Sequence, residues 1–400
     1  MPSIPKSLEN IDLTLQRYRE TTYHKRFLLF DTNDSERIIS FASDMQLHIL
    51  SNSKRWHVDG TFKSCPEIFY QVFTIHCWYE EHMYKTVTFL LIGKSTSLYL
   101  KALEKLKDSC TKIGIKLDPN FIMSDFEHAI LNAFKKAFPE ADSKGCYFHF
   151  IQSLWKNIKD KHLAKDYKAN DENKKWFDKV KSLAFLPPQY VSTGFNLLTS
   201  TAPESLKINP NFSIYVNYVY KTWIHGEIWN HFYNNGPRTN NHVEGFHRKI
   251  DIELISDHPN LYVFIEYLKK LEVQTYLLFK RRQISNDFNT KRRPEDIFRD
   301  QKIVKYKTML LNDLNSLKTN SYKNELVPIL ERYISCFSYL YEYKTEDKLD
   351  DKQQLSSLIT KRLDQYKQNA DEILNNFNGL RNFGISLSHD DIKRLNPRCW

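Results

Sequence analysis

The stretch that decides the fold is WHVDGTF, residues 56–62, in which a short β-strand pattern ends at Asp59 and is followed at once by a glycine. A second strand-like run ends at Asp125, where a helical pattern begins, and Glu244 lies early in a third, helical segment. Three carboxylates that converge from separated elements suit a two-metal phosphoryl-transfer site, because Mg²⁺ and Mn²⁺ prefer carboxylate oxygens and keep positions open for water and phosphate. These three acids are therefore the candidate catalytic and metal-binding residues.

Composition limits the fold and the partners. The 400 residues are 41% hydrophobic, which is ample material for a sizeable core and predicts two or three subdomains. The net charge of +10 favours a polyanionic partner. The six cysteines are scattered without the spacing of a zinc ribbon or redox motif, which indicates a reducing, intracellular compartment. The apolar runs are too short to span a bilayer, so we expect no membrane association.

Strand and helix patterns follow one another in an informative order. A strand candidate at 26–31 and a helical pattern at 35–50 precede three consecutive strands that form a meander, after which helices and strands alternate. This order predicts an α/β fold, a ribonuclease-H-like (retroviral-integrase-like) mixed five-stranded sheet with flanking helices. In that fold the first strand, which carries Asp59, lies beside the fourth, which ends at Asp125. The five predicted strands are 56–59, 69–78, 85–92, 119–125 and 144–147.

The same patterns divide the chain into five regions. An aromatic-rich stretch interrupts the alternation before Glu244, and we interpret it as an all-helical insertion. The regions are 1–50, an N-terminal leader with a short strand and helix; 51–162, the first part of the ribonuclease-H-like catalytic core; 163–237, the helical insertion; 238–285, the core helix with the third acid and the helix after it; and 286–400, a helical C-terminal region.

Several short motifs, taken in their order and spacing, resemble the Mutator-like element (MULE) transposase domain family, which is of the DDE type. The resemblance extends over roughly residues 26–285. The motifs are WHVDGTF at 56–62 followed by Pro66, FYQ at 69–71, IH at 75–76, LIGKS at 91–95, SDFEHAILNA at 124–133, GCYFHFIQ at 145–152 and RTNNHVEGFH at 238–247.

The resemblance implies a DNA transposase that uses a two-metal Mg²⁺ or Mn²⁺ site for DNA cleavage and strand transfer. Asp59, Asp125 and Glu244 match the three catalytic positions of the family. DNA is then the expected partner and the nucleus the expected location, with a homodimer as the expected assembly and no small-molecule substrate. The alternative is a domesticated, catalytically idle DNA-binding or regulatory protein, because relatives usually carry a zinc-binding recognition module and residues 1–50 contain no cysteine.

Cys146 and His149 form a Cys-x-x-His pair that the resembled family also carries. One interpretation is half of a zinc site, completed by a second pair from the insertion or by His242 and His247. Zinc requires about four ligands, and no second pair with suitable spacing is evident. The favoured interpretation is a buried cysteine and a histidine that caps the next helix near the active site.

Three further residues are candidates for positioning phosphate or water. His247 and Arg248 follow the third acid by three and four residues, so all three share one helical face. Arg238 precedes that helix. A solvent-facing acid–arginine pair is the structural alternative for this face. We expect Asn240 or Asn241 to cap the helix rather than to contact DNA.

Overall fold

A mixed β-sheet organises the N-terminal half of the chain. The computed structural model describes residues 5–254, 257–285, 293–317 and 322–340. Within these ranges the sheet has seven strands in the order β1-β2-β5-β4-β3-β6-β7. The strands are β1 (Leu28–Asp31), β2 (Ile39–Phe41), β3 (Arg55–Thr61), β4 (Gln71–Tyr79), β5 (His82–Leu91), β6 (Phe121–Ser124) and β7 (Asp142–Gly145).

The five predicted strands correspond to β3–β7. Strands β3, β4 and β5 form the expected antiparallel meander, and β6 and β7 join it in parallel on the side of β3. The β4–β5 hairpin turns through Glu80 and Glu81, both with positive φ, as a tight two-residue hairpin turn requires. This mixed α/β arrangement is compatible with a ribonuclease-H-like fold.

The prediction of a five-stranded sheet is wrong in number, because β1 and β2 extend the sheet beside β5. Strand β1 matches the candidate at 26–31, whereas β2 occupies residues predicted as helix. The helix at 35–50 begins only at Asp44, since Ser43 and Gln46 form a reciprocal capping box there. Upstream of this cap the apolar residues Ile39 and Phe41 are buried in the sheet.

Thirteen α-helices lie within the described ranges, and a π-helical turn occupies Tyr220–Ile224. Tyr147 was predicted to end the fifth strand but is already helical, so that strand ends at Gly145. The helices are α1 (Asp44–Asn52), α2 (Thr96–Thr111), α3 (His128–Ala137), α4 (Tyr147–Asp160), α5 (Ala164–Ala169), α6 (Asp171–Ser182), α7 (Pro188–Ser200), α8 (Glu204–Lys207), α9 (Pro210–Val219), α10 (Asn241–Glu253), α11 (Leu261–Ser285), α12 (Pro294–Asn315) and α13 (Tyr322–Tyr339).

The two faces of the sheet differ in chemistry because successive strand residues point to opposite faces. On one face, Trp56 and Val58 of β3 join an apolar core with Phe73 and with residues of α2 and α3. On the other face, His57 of β3 lies opposite His76 of β4, and Asp59 lies opposite Thr74. Helices α10 and α11 contribute to the apolar core beside this polar strip.

The helical insertion and the C-terminal helices share one hydrophobic core. Phe177 and Leu198 of the insertion are buried in the same cluster as Ile303 of α12 and Leu330 of α13. The two regions predicted as 163–237 and 286–400 therefore pack together. The remainder of the second region, including residues 341–400, lies outside the described residues. None of the helices in the described ranges combines the length and the apolar character needed to cross a bilayer.

Candidate active site

Three separate elements carry the predicted acids to one edge of the sheet. Asp59 lies near the end of β3, Asp125 directly follows β6, and Glu244 lies in the first turn of α10. Strands β3 and β6 are parallel neighbours, with His57 opposite Met123. Because parallel neighbours end at the same edge, the two aspartates lie side by side. Helix α10 contacts β3 and brings the glutamate to the same edge.

His247 holds the Asp59 side chain from the side of α10. Its Nδ1 lies 3.2 Å from Oδ2 of Asp59, and its Nε2 lies 3.2 Å from the Thr74 hydroxyl. The other carboxylate oxygen of Asp59 accepts a hydrogen bond of 2.8 Å from the backbone N–H of Gly60. The sequence predicted His247 as a group that positions phosphate or water; in the structure it orients the first acid.

His149 lies between the other two acids. Its Nδ1 is 2.7 Å from Oδ1 of Asp125, and its Nε2 is 3.8 Å from Oε1 of Glu244. The short contact with Asp125 is an ion pair without the geometry of a hydrogen bond, since neither atom has a hydrogen-bond partner. One imidazole ring therefore bridges two acids whose positions differ by more than a hundred residues in the chain.

Burial and charge shift the pKa values of side chains in the pocket formed by Asp59, Asp125, His149, Glu244 and His247. Burial lowers the pKa of His149, but the close contacts with Asp125 and Cys146 raise it by more, to about 11. For Glu244, burial raises the pKa, the charges of Asp125 and Asp59 raise it too, and His149 opposes both. Glu244 is thus close enough to both aspartates to respond to their charges.

The pocket suits a divalent cation. Oδ1 of Asp125 and Oε1 of Glu244 are buried without a hydrogen-bond partner, and the imidazole of His149 provides the opposing charge for both. Carboxylate oxygens are the ligands that Mg²⁺ and Mn²⁺ prefer. Because the pKa of His149 is raised, its ring holds a proton beside the oxygens of Asp125 and Glu244. A cation bound to these oxygens would replace that positive charge.

Asn240 connects the pocket to the sheet in a way that sequence reasoning missed. Its side chain donates a hydrogen bond to the carbonyl of Val58 at 3.1 Å and accepts one from Nδ1 of His57, also at 3.1 Å. Its backbone N–H donates to Sγ of Cys146 at 3.2 Å. The expectation that its side chain caps α10 is wrong, because the N-cap residue makes no side-chain cap. The only signal in the sequence was the Asn240-Asn241 pair. Capping preferences explain such a pair as a helix cap, so it did not indicate these contacts.

The remaining predicted residues have different surroundings. Cys146 is fully buried at the N-cap position of α4, whereas His149 of that helix turns to Asp125 instead of capping. Arg248 is exposed on α10. Arg238 pairs with Asp300 of α12, so it links the loop before α10 to the C-terminal helices.

The comparison with known families gives one match. The family model of the MULE transposase domain matches residues 55–153, which run from β3 into α4. The resemblance is confirmed for this part of the chain, which includes Asp59, Asp125, Cys146 and His149. The match does not extend to Glu244, whose place in the pocket rests on geometry. No curated protein shows significant similarity to the chain.

Proposed function

Since residues 55–153 carry a MULE transposase domain, we propose that the protein is a metal-dependent DNA transposase that cleaves DNA and joins the freed end to a target strand. The domain implies interaction with DNA, and the net charge of +10 favours a polyanion. The nucleus as location and a homodimer as the working assembly belong to the same proposal.

The observation that carries the proposal is the grouping of three acids around two histidines. Asp59 contacts His247 at 3.2 Å, while His149 contacts Asp125 at 2.7 Å and Glu244 at 3.8 Å. Such a grouping costs free energy because like charges repel and buried carboxylates lose hydration. A function that requires several carboxylates at one point accounts for that cost.

The residues of the chain would divide the chemistry as follows. Asp59, Asp125 and Glu244 would hold two Mg²⁺ or Mn²⁺ ions. When bound, these ions supply Lewis-acid stabilisation of the phosphate and lower the pKa of the attacking water or hydroxyl. His247 fixes the orientation of the Asp59 carboxylate, because it contacts both that carboxylate and the Thr74 hydroxyl. His149 holds a positive charge between the other two acids.

The test is cleavage and strand transfer of duplex DNA with Mg²⁺ or Mn²⁺, comparing Asp125→Asn with Asp118→Asn. Asp118 is an exposed aspartate that pairs with Lys54 outside the pocket, so it is a matched control. We expect Asp125→Asn to lose more than the roughly 10- to 100-fold that loss of an outer-sphere partner costs. The control variant should retain the activity. Cleavage that is unchanged in Asp125→Asn would overturn the assignment.

The alternative is a domesticated DNA-binding protein that keeps the fold without catalysis. The family match ends before Glu244 and is compatible with both candidates. DNA binding that depends on salt but not on divalent metal, together with no cleavage under any metal, would establish the alternative.

A further inference from the structure

We propose that Asp125, Cys146 and His149 form a site for one borderline-soft divalent cation, with Zn²⁺ as the natural occupant. The site shares Asp125 with the proposed pair of hard cations, so its occupation would interrupt their use. This regulatory consequence rests on the proposed function, whereas the cation site itself does not.

The geometry of the three ligand atoms supports the site. One oxygen of Asp125, Sγ of Cys146 and a ring nitrogen of His149 all lie within 4.8 Å of one another. Tetrahedral zinc–ligand bonds of roughly 2.0–2.3 Å place neighbouring ligand atoms about 3–4 Å apart, so a small adjustment of this cluster, which opens the 2.7 Å contact between Asp125 and His149, would fit the ion. The backbone around them is well tied, because the N–H of Cys146 donates to the carbonyl of Ser124 at 2.8 Å.

The burial of these atoms provides a second observation. Oδ1 of Asp125 and Nδ1 of His149 are buried and contact each other at 2.7 Å, and neither has a hydrogen-bond partner among the described residues. The second nitrogen of His149 faces the Glu244 carboxylate at 3.8 Å. A metal-bound imidazole commonly has a carboxylate at its other nitrogen, which fixes its tautomer and orientation. Glu244 is placed to do this for His149.

The donor set selects the kind of cation. A thiolate, an imidazole and a carboxylate together favour Zn²⁺ over Mg²⁺, because magnesium prefers oxygen ligands alone. The backbone N–H of Asn240 donates to Sγ of Cys146 at 3.2 Å and so stabilises negative charge on the sulfur. Three protein ligands leave a fourth position of a tetrahedral zinc centre for water or phosphate.

The experiment is a titration of the metal-free full chain with Co²⁺, the spectroscopic substitute for Zn²⁺, in the absence of DNA. We expect one cobalt ion per chain and a near-ultraviolet sulfur-to-cobalt charge-transfer band. Cys146→Ser should abolish this band, and Cys110→Ser should retain it, since Cys110 is a cysteine of α2 that is buried in the apolar core. His149→Ala, which keeps the thiol, should weaken Zn²⁺ binding by roughly 10- to 100-fold or more.

Absence of the band in the unaltered chain, or its persistence in Cys146→Ser, would overturn the site. If Cys146→Ser fails to fold, an unchanged Zn²⁺ affinity in His149→Ala would overturn the site instead. The regulatory consequence has its own readout: Zn²⁺ should inhibit Mg²⁺-supported cleavage, and Cys146→Ser should need more Zn²⁺ for half-inhibition. Because the cobalt spectra need no catalysis, failure of the proposed function and failure of this site give different results.

Discussion

The two faces of the central sheet are built from the same strands yet do different work. The face covered by α2 and α3 buries Trp56, Val58 and Phe73 in a continuous apolar core. The face toward α10 buries His57 and His76 among other polar groups, and the Nε2 atoms of both rings lack hydrogen-bond partners. The first face gains free energy from apolar burial. The second gives up part of that gain in order to hold charged groups together.

The two faces separate the apolar burial that stabilises the fold from the polar groups of the candidate active site. Alternation with a period of two lets one strand serve both purposes, because neighbouring residues face opposite sides. Val58 is therefore in the core while Asp59, the next residue, is in the candidate active site. Substitutions that exchange the characters of the two faces test the comparison directly.

The largest expected effect is on the apolar face. Phe73 is buried against the rings of Phe89, Tyr99 and Phe134, at centroid distances of 6.0, 5.0 and 6.4 Å. Phe73→Ala should lower the free energy of unfolding by about 3–5 kcal/mol, because it leaves a cavity. Urea denaturation measures this. Phe62→Ala is the matched control, since Phe62 is 44% exposed, and equal losses in the two variants would contradict the assigned role of the core.

A substitution on the polar face should act in the opposite direction. Burial lowers the pKa of Lys85 from 10.5 to about 7, and burial also raises the pKa of nearby Glu272. Between pH 7 and 10.5 the unfolded lysine binds a proton that the folded one does not, so stability rises with pH across this window. Lys85→Met should raise the free energy of unfolding at neutral pH by about 1–3 kcal/mol and flatten that rise, because it removes a buried amine that has no hydrogen-bond partner within the described part of the chain.

Urea denaturation at several pH values between neutral and alkaline measures this slope. Lys105→Met, at an exposed position on α2, is the control and should leave the slope unchanged. A destabilised Lys85→Met variant would show that Lys85 makes a net favourable contribution, and the polar face would then not be a cost to the fold.

The smallest effect concerns two threonines that lie opposite each other on β4 and β5. The Thr74 hydroxyl contacts Nε2 of His247 at 3.2 Å and the carbonyl of Asp59 at 3.3 Å, whereas the buried Thr88 hydroxyl has no partner. Thr74→Val should cost about 1 kcal/mol of unfolding free energy, and Thr88→Val should cost nothing or stabilise slightly. Thermal denaturation of the two variants compares them. Equal destabilisation would show that the Thr74 contacts do not support the active-site face.

The parts of the fold that could be predicted are those with strong local signals. Strands β3 to β6 and helix α3 follow from periodicity, β-branched and aromatic runs, and turn residues. Strand β2 was missed because Ile38, Ile39 and Phe41 also fit a helical spacing, and pairing with β5 decided between the two. The capping box at Ser43 was the local signal that could have corrected the helix start.

The candidate site also has a part that could be predicted from the sequence and a part that could not. The three acids could be proposed from their sequence contexts, and the spacing of Glu244 and His247 placed both on one helical face. The roles of His149 and Asn240 could not be proposed, because each acts on residues far away in the chain. Asn240 bonds to His57 across 183 positions, and local rules contain no information about such a contact.

Local sequence patterns specify which reactive side chains are available and on which face of each element they lie. They place His57 and Asp59 on one side of β3 and Trp56 and Val58 on the other, since the side-chain period of a strand is two. The position of His149 between Asp125 and Glu244, and the clustering of Cys146 with His149 and Asp125, depend on the packing of distant segments. These contacts arise from the packing of α4 and α10 at the ends of β3 and β6, and packing depends on the whole chain.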